Sequence, residues 1–256
     1  MRSRFSSRVE VEVGRRGRTL RVDGTFASWY APGSVTTGSV WDALAAPLLL
    51  LPPARRRSVL VLGLGAGSAA RVARALAPAA AIVGVERDRE VLRAARRWFD
   101  LDELGLEVVR ADARRFLERC RERFDAILED VFVGRGAALG KPDWLPVPGL
   151  ALAARHLAPN GVLVSNTLDE APEVARELRR LLPVVVAIDV EGYDNRILVG
   201  AGRAHDARGL RAAVGRDAVL GETLPRLSFR TLRGAGGARG TGPFTGRRRG
   251  SSRRRG

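Results

Sequence analysis

A chain of 256 residues with 45% hydrophobic content has room for one α/β core and a small appended element, and its longest leucine run, Leu48 to Leu51, is far too short to span a bilayer. The single cysteine, Cys120, excludes an intrachain disulfide or cysteine cluster, and His156 and His205 lack metal-ligand spacing, so no metal is expected. The net charge of +16 is a weaker nucleic-acid signal than it looks: Lys141 is the only lysine, an arginine bias that a GC-rich genome also produces, and eight of the arginines follow residue 232 with no acid among them.

The arginine-dense N-terminus has no apolar segment of signal-peptide type, so the expected location is cytoplasmic, without a membrane partner. Residues 8 to 30 alternate as strands do. Val9, Val11 and Val13 precede the turn Gly14-Arg15-Arg16-Gly17, Leu20 and Val22 follow it, and Asp23-Gly24 marks another turn. This predicts a small N-terminal β-hairpin. Residues 39 to 51 read as a helix broken at Pro47. From residue 58 onward strands and helices alternate, which implies a parallel sheet with right-handed crossovers. Strands are expected near 58–63, 81–86, 106–110, 124–130, 161–166, 183–190 and 195–201, and helices near 67–77, 88–99, 112–121, 148–157, 171–182 and 206–214. The fold class is α/β, a Rossmann-like seven-stranded mostly parallel sheet whose last strand pairs antiparallel with the one before it. Three segments result: 1–50, hairpin and linker helix; 51–232, the α/β domain; and 233–256, an Arg/Gly-rich tail with only Phe244 to bury. The tail is expected to be a disordered, solvated extension, with contact to RNA (nucleic acid) or an acidic surface through its arginines as the alternative.

The strand near 58–63 ends in the turn Gly63-Leu64-Gly65-Ala66-Gly67, and nineteen residues after Gly67 the next apolar strand ends in Glu86. Glycines at a strand-to-helix turn admit close approach of a nucleotide-like ligand, and a carboxylate at that distance can accept hydrogen bonds from a ribose diol. Dinucleotide binding wants Gly-x-Gly-x-x-Gly with a diphosphate at the helix N-terminus, but the third of those positions is Ser68 here. No lysine follows, so a P-loop is excluded. The tighter Gly63, Gly65, Gly67 spacing looks like motif I of the class I S-adenosylmethionine-dependent transferases, whose ligand carries no phosphate.

Ligands of such sheets bind at the carboxyl ends of the strands, which singles out Gly63, Glu86, Asp112, Asp130 and Asn166. Asp88 either meets the ligand or only caps the following helix. Asp112 sits where an adenine amino group can donate to it; alternatively it caps the helix 113–121, and it is expected to serve only one of these at a time. Asp130 ends the strand Phe124 to Asp130 and opens a long irregular stretch, 131–147, which carries Phe132, Lys141, Asp143 and Trp144 and suits a lid. A carboxylate at Asp130 can take a proton from a cationic amine or hold it electrostatically. Glu129 points to the opposite face of the strand, so only one of the pair enters the pocket.

From Asp23 to about Gly202 the chain resembles the spermidine synthase (polyamine aminopropyltransferase) family, built on the class I methyltransferase fold. The residues that carry the resemblance are Asp23-Gly24, Thr37-Gly38 with Trp41-Asp42, the glycine motif, Val85-Glu86-Arg87-Asp88, Asp112-Ala113, Phe124 to Asp130 and Asp194 to Val199. The resemblance implies that residues 51–232 are a nucleoside-binding transferase domain moving an aminopropyl group from decarboxylated S-adenosylmethionine to a small-molecule amine. It also implies a homodimer formed through the N-terminal hairpin. By family position Gly63, Gly65, Gly67, Glu86, Asp88, Asp112 and Ala113 would bind the co-substrate, with Glu86 at the ribose and Asp112 and Ala113 at the adenine. Asp130 would deprotonate the attacking amine, and Asp42 and Tyr193 would contact the amine substrate. The chain departs from the family after Asp130. Where relatives usually carry Ser or Thr, a second aspartate and a proline, it has Val131-Phe132-Val133-Gly134. A glutamine after the first Asp-Gly is replaced around Ala27, and a Tyr-His-Glu segment is matched only by Val40-Trp41-Asp42. Fewer carboxylates are therefore on hand to offset the desolvation of a dication.

Two other readings use the same scaffold: an S-adenosylmethionine-dependent methyltransferase, and a catalytically silent nucleoside-binding homologue. The donors differ at one point. S-adenosylmethionine keeps its carboxylate and wants a cation or backbone donor beside it, whereas the decarboxylated form wants acids. Asp42 and Asp130 favour the second donor; Lys141 and Arg135 favour the first.

Overall fold

Valines alternating with charged residues build the first strands: β1 (Val9–Gly14), β2 (Gly17–Val22) and β3 (Thr25–Tyr30) form an antiparallel meander in the computed structural model, which describes residues 8–232. The expected tail at 233–256 lies outside the described residues. The expected hairpin is thus two strands of a three-stranded sheet. Asp23 and Gly24 both take positive φ, 50° and 81°, as a tight two-residue hairpin turn requires, and they lead into β3. The register slips between Leu20 and Arg21, so β3 does not continue the alternation of β2.

Helix α1 (Val40–Ala45) is buried at every residue, as befits a helix apolar nearly all round, and at Pro47 the chain passes into a 3-10 turn, Ala46–Leu50. The alternating half follows: β4 (Ser58–Leu62), α2 (Ser68–Leu76), β5 (Ala81–Glu86), α3 (Arg89–Trp98), β6 (Glu107–Arg110), α4 (Ala113–Arg119) and β7 (Phe124–Glu129). After the lid come α5 (Gly149–Arg155), β8 (Leu157–Thr167), α6 (Ala171–Leu181), β9 (Val184–Val190), β10 (Arg196–Ala201), α7 (Ala207–Arg216) and β11 (Leu227–Thr231). The main sheet runs β11-β9-β10-β8-β7-β4-β5-β6, parallel from β8 to β6 and antiparallel through β10, β9 and β11. It is the expected mostly parallel sheet with β11 added as an edge strand.

The two faces of β4 feed different cores. Val59 and Val61 pack with α1, α2 and α3, while Leu60 and Leu62 pack with α4, α5 and α6. That period of two is why a near-continuous apolar run makes a strand covered on both sides. Burial of each such side chain stabilises the fold by roughly 1.5–3 kcal/mol. From β4 the chain winds outward through β5 to β6, then crosses back to place β7 on the other side of β4. The strand order reverses there, and the crevice outside the carboxyl ends of β4 and β7 is where such sheets take ligands.

Candidate active site

The crevice begins at the glycine turn. Gly63 and Gly65 have φ of 79° and 56°. A Cβ on Gly63 would lie 2.5 Å from the Asp130 carbonyl oxygen, and one on Gly65 would lie 2.8 Å from Ser28 Oγ. The glycines thus let protein segments meet as much as they admit a ligand. Asp130 N–H donates to the Leu62 carbonyl at 2.8 Å, which seats the end of β7 beside the turn. On the other side β3 docks: Ala66 N–H donates to Ser28 Oγ at 2.8 Å, and Ser68 Oγ donates to the Trp29 carbonyl at 2.8 Å. Gly67 departs from its expected place. It caps α2 in a left-handed conformation, faces Leu101, and does not line the cavity.

Glu86 ends β5 with its carboxylate fixed by two backbone donors, Gly65 N–H to Oε2 at 3.0 Å and Asp88 N–H to Oε1 at 2.9 Å. Each oxygen keeps a lone pair for a ligand diol. Burial holds this carboxyl above the usual glutamate range, and those N–H donors work against the rise. Asp88 is buried and caps α3, accepting from Glu90 N–H at 2.8 Å. Asp112 caps α4 through Oδ1, which accepts from Arg115 N–H at 3.1 Å. The expectation that Asp112 serves only one purpose is too strict, since a carboxylate that caps with one oxygen keeps the other for the cavity it lines. Ala113, the first residue of α4, lines the cavity beside it.

At the other end stands Asp130. Its Oδ2 accepts from Trp41 Nε1–H at 3.0 Å and its Oδ1 from Asn166 Nδ2–H at 2.8 Å, while Asn195 Nδ2–H donates to Asn166 Oδ1 at 2.9 Å. Burial pushes the Asp130 carboxyl up to about 6; Asn166, the Lys141 charge and Trp41 pull it down, and Glu129 pushes it further up. Both of its oxygens are held, so the carboxylate is oriented as well as perturbed. Trp41 and Asn195 were missed as site residues. Trp41 falls in a segment that reads as packing, whereas Asn166, at the end of β8, was already visible as a strand-end position.

Asp42, expected at the amine substrate, lies elsewhere, as do Lys141 and Arg135, expected beside a donor carboxylate. Asp42 is buried and outside the cavity, where Oδ1 accepts from Thr37 N–H and Oγ1–H and Oδ2 from Gly38 N–H at 2.7 Å. The turn before α1 consumes this carboxylate, which reaches back from the third residue of the helix to the N–H groups preceding it. Lys141 leaves only 1% of its side chain exposed, and its Nζ donates to Glu129 Oε1 at 2.7 Å and to the Val131 carbonyl at 3.1 Å. Arg135 is exposed and does not line the cavity. Of the four residues that discriminate between donors, only Asp130 faces the ligand space.

That space is a cavity of about 480 Å³, walled by β3 and Trp41, the glycine turn, Glu86 to Asp88, Asp112 and Ala113, Asp130 and the lid, Asn166, and the segment 192–195 that includes Tyr193. Its volume suits a nucleoside-sized ligand with a small second one. Among the described residues its charged lining comprises Asp23, Glu86, Asp88, Asp112, Asp130 and Asp194 against one cation, Arg87.

The chain is 31% identical over 192 residues to a polyamine aminopropyltransferase from Chromobacterium violaceum, covering 68% of each. The chain belongs to the polyamine aminopropyltransferase family. The chain is also 31% identical over 153 residues to an eEF1A lysine and N-terminal methyltransferase homolog from Drosophila melanogaster, and it spans about a quarter of that protein's length, 23%. Among solved structures, a probable spermidine synthase from Corynebacterium glutamicum superposes with a TM-score of 0.69 over 88% of this chain and 87% of that one, at 23% identity, a likeness of fold. No family model matches the chain.

Proposed function

We propose that the chain is an aminopropyltransferase that takes decarboxylated S-adenosylmethionine as donor and an amine as acceptor. The observation that supports this most is the sign of the lining: among the described residues, six carboxylates and Arg87 alone as cation. A donor whose tail ends in an ammonium is favoured by such a wall, and one whose tail keeps a carboxylate is not. Lys141, the cation best placed by sequence to meet a donor carboxylate, is neutralised by Glu129.

In this reading Glu86 holds the ribose diol, and Asp112 with Ala113 meets the adenine. The acceptor's ammonium docks on Asp130, held by Trp41 and Asn166. Asp130 takes the proton; the freed nitrogen lone pair attacks the propyl carbon on the far side from sulfur. The carbon–sulfur bond breaks with its electron pair going to sulfur, which leaves neutral methylthioadenosine. The protein aligns the partners and excludes water, both of which lower the barrier without a covalent intermediate. A carboxylate with a pKa near 6 is ionised at neutral pH and more basic than an ordinary aspartate.

Transfer of a methyl group from S-adenosylmethionine to an amine is the second reading, favoured by the similarity to a protein named as a lysine and N-terminal methyltransferase homolog. It uses Asp130 in the same way but requires a site for the donor carboxylate. Calorimetry with S-adenosylmethionine, its decarboxylated form and methylthioadenosine separates the two. The decarboxylated donor should bind at least about tenfold more tightly than S-adenosylmethionine, a single charge pair's difference. Equal or reversed affinities would favour methyl transfer.

A further inference from the structure

We infer that the acceptor is an amine with one ammonium group on an apolar body of aryl size, rather than a linear diamine. This rests on the reading of Asp130 as the group that receives the acceptor's amine. Immediately beyond Asp130 the cavity wall is Val131, Phe132, Val133, Leu139 and Trp144 of the lid, with Leu168 following Asn166 by two residues.

The lid's own charges are spent elsewhere. Lys141 is buried against Glu129. Glu170 accepts from Lys141 N–H at 2.6 Å and from Leu168 N–H at 3.2 Å, which ties β8's exit to the lid. Asp143 and Arg135 are exposed and off the cavity. The remaining carboxylates of the wall outside the nucleoside group, Asp23 and Asp194, are both exposed, where an ion pair is worth little in water. A second ammonium reaching past Asp130 along the lid would therefore leave water for an apolar wall with no buried carboxylate among the described residues to pair with, which is strongly unfavourable. An aromatic or branched body in the same place would bury against Phe132 and Trp144.

The wall is also set rather than loose. Val133 and Gly140 exchange two backbone hydrogen bonds, 2.9 and 3.0 Å, and the Lys141 ammonium sits 4.1 Å from the centroid of the Phe132 ring. The ring thereby has a fixed partner on one side, and Phe132 lines the cavity together with Val131 and Val133.

The test uses the full chain saturated with methylthioadenosine, into which putrescine and 2-phenylethylamine are titrated by calorimetry. The expected result is about tenfold or greater preference for 2-phenylethylamine, the size of one buried apolar group. Phe132→Ala should abolish that preference, and Val133→Asp, which keeps the backbone bridge, should shift it toward putrescine. Tighter binding of putrescine to the nucleoside-loaded wild-type protein would overturn the inference and leave Asp130 as the amine's partner; no amine binding at all would overturn that reading with it. Failure of methylthioadenosine itself to bind would overturn both.

Discussion

Asp130 shows what a strand-end carboxylate becomes when its neighbours are tryptophan and asparagine rather than water. Taking its pKa from 3.8 to about 6 costs the ionised fold about 3 kcal/mol at 1.36 kcal/mol per pH unit. The sign follows from linkage. The folded pKa lies above the unfolded one, so this residue's contribution to stability is complete below pH 3.8 and is lost as pH rises through about 6. Asp130→Asn removes the titration. Its melting temperature relative to wild type should rise between pH 4 and pH 7, and a difference independent of pH would mean that the carboxyl is not perturbed. In the proposed reaction the same group sets the acid limb of kcat/KM, which should fall below pH about 6 in wild type. Glu86 lies at the other end of the crevice, where Glu86→Ala should weaken methylthioadenosine binding by about ten- to a hundredfold, the value of a charge-assisted hydrogen bond or two. Unchanged affinity would place the ribose elsewhere.

The lid illustrates how an element can be misjudged one charge at a time. A lysine in a polar-looking loop is by default a solvated residue, yet Lys141 is buried and joins three parts of the structure. Its ammonium reaches Glu129 on β7 and the Val131 carbonyl, and its backbone N–H reaches Glu170 before α6. Glu129 is itself buried and also accepts from Val131 N–H and Ser165 Oγ–H. Lys141→Met should therefore destabilise the fold by about 3–5 kcal/mol, because it strands the glutamate charge. The double variant Glu129→Gln/Lys141→Met should recover a good part of that in urea unfolding. If the double variant is as unstable as the sum of the single ones, the pair is not coupled as the geometry indicates.

At the scale of the molecule, legibility followed local physics. The central strands could be read because apolar runs of β-branched residues between glycine turns and amphipathic helices admit one reading. β3 fell within the strand-like stretch 8–30 but could not be separated as a third strand, because Thr25-Phe26-Ala27-Ser28-Trp29-Tyr30 has no clean alternation and pairs across a register shift. β11 is five residues long, follows a 3-10 turn containing Pro225, and is held by its pairing with β9 alone among strands. Glu86, Asp112 and Asp130 were visible because strand ends converge on the switch point whatever the side chains do. Asp42 was not, because its carboxylate answers to a turn four and five residues earlier, and Trp41, its neighbour, is the one that reaches Asp130. Long-range partners of this kind, 89 residues apart in the chain, leave no periodic trace.

The most direct measurement is product release. The purified chain is incubated at pH 7.5 with decarboxylated S-adenosylmethionine, and separately with S-adenosylmethionine, together with putrescine and a panel of aryl and alkyl monoamines, and nucleoside products are resolved by chromatography. The expected result is amine-dependent release of methylthioadenosine from the decarboxylated donor, lost in Asp130→Asn while nucleoside affinity is retained. Release of S-adenosylhomocysteine from S-adenosylmethionine with none of methylthioadenosine, or full activity in Asp130→Asn, would contradict it.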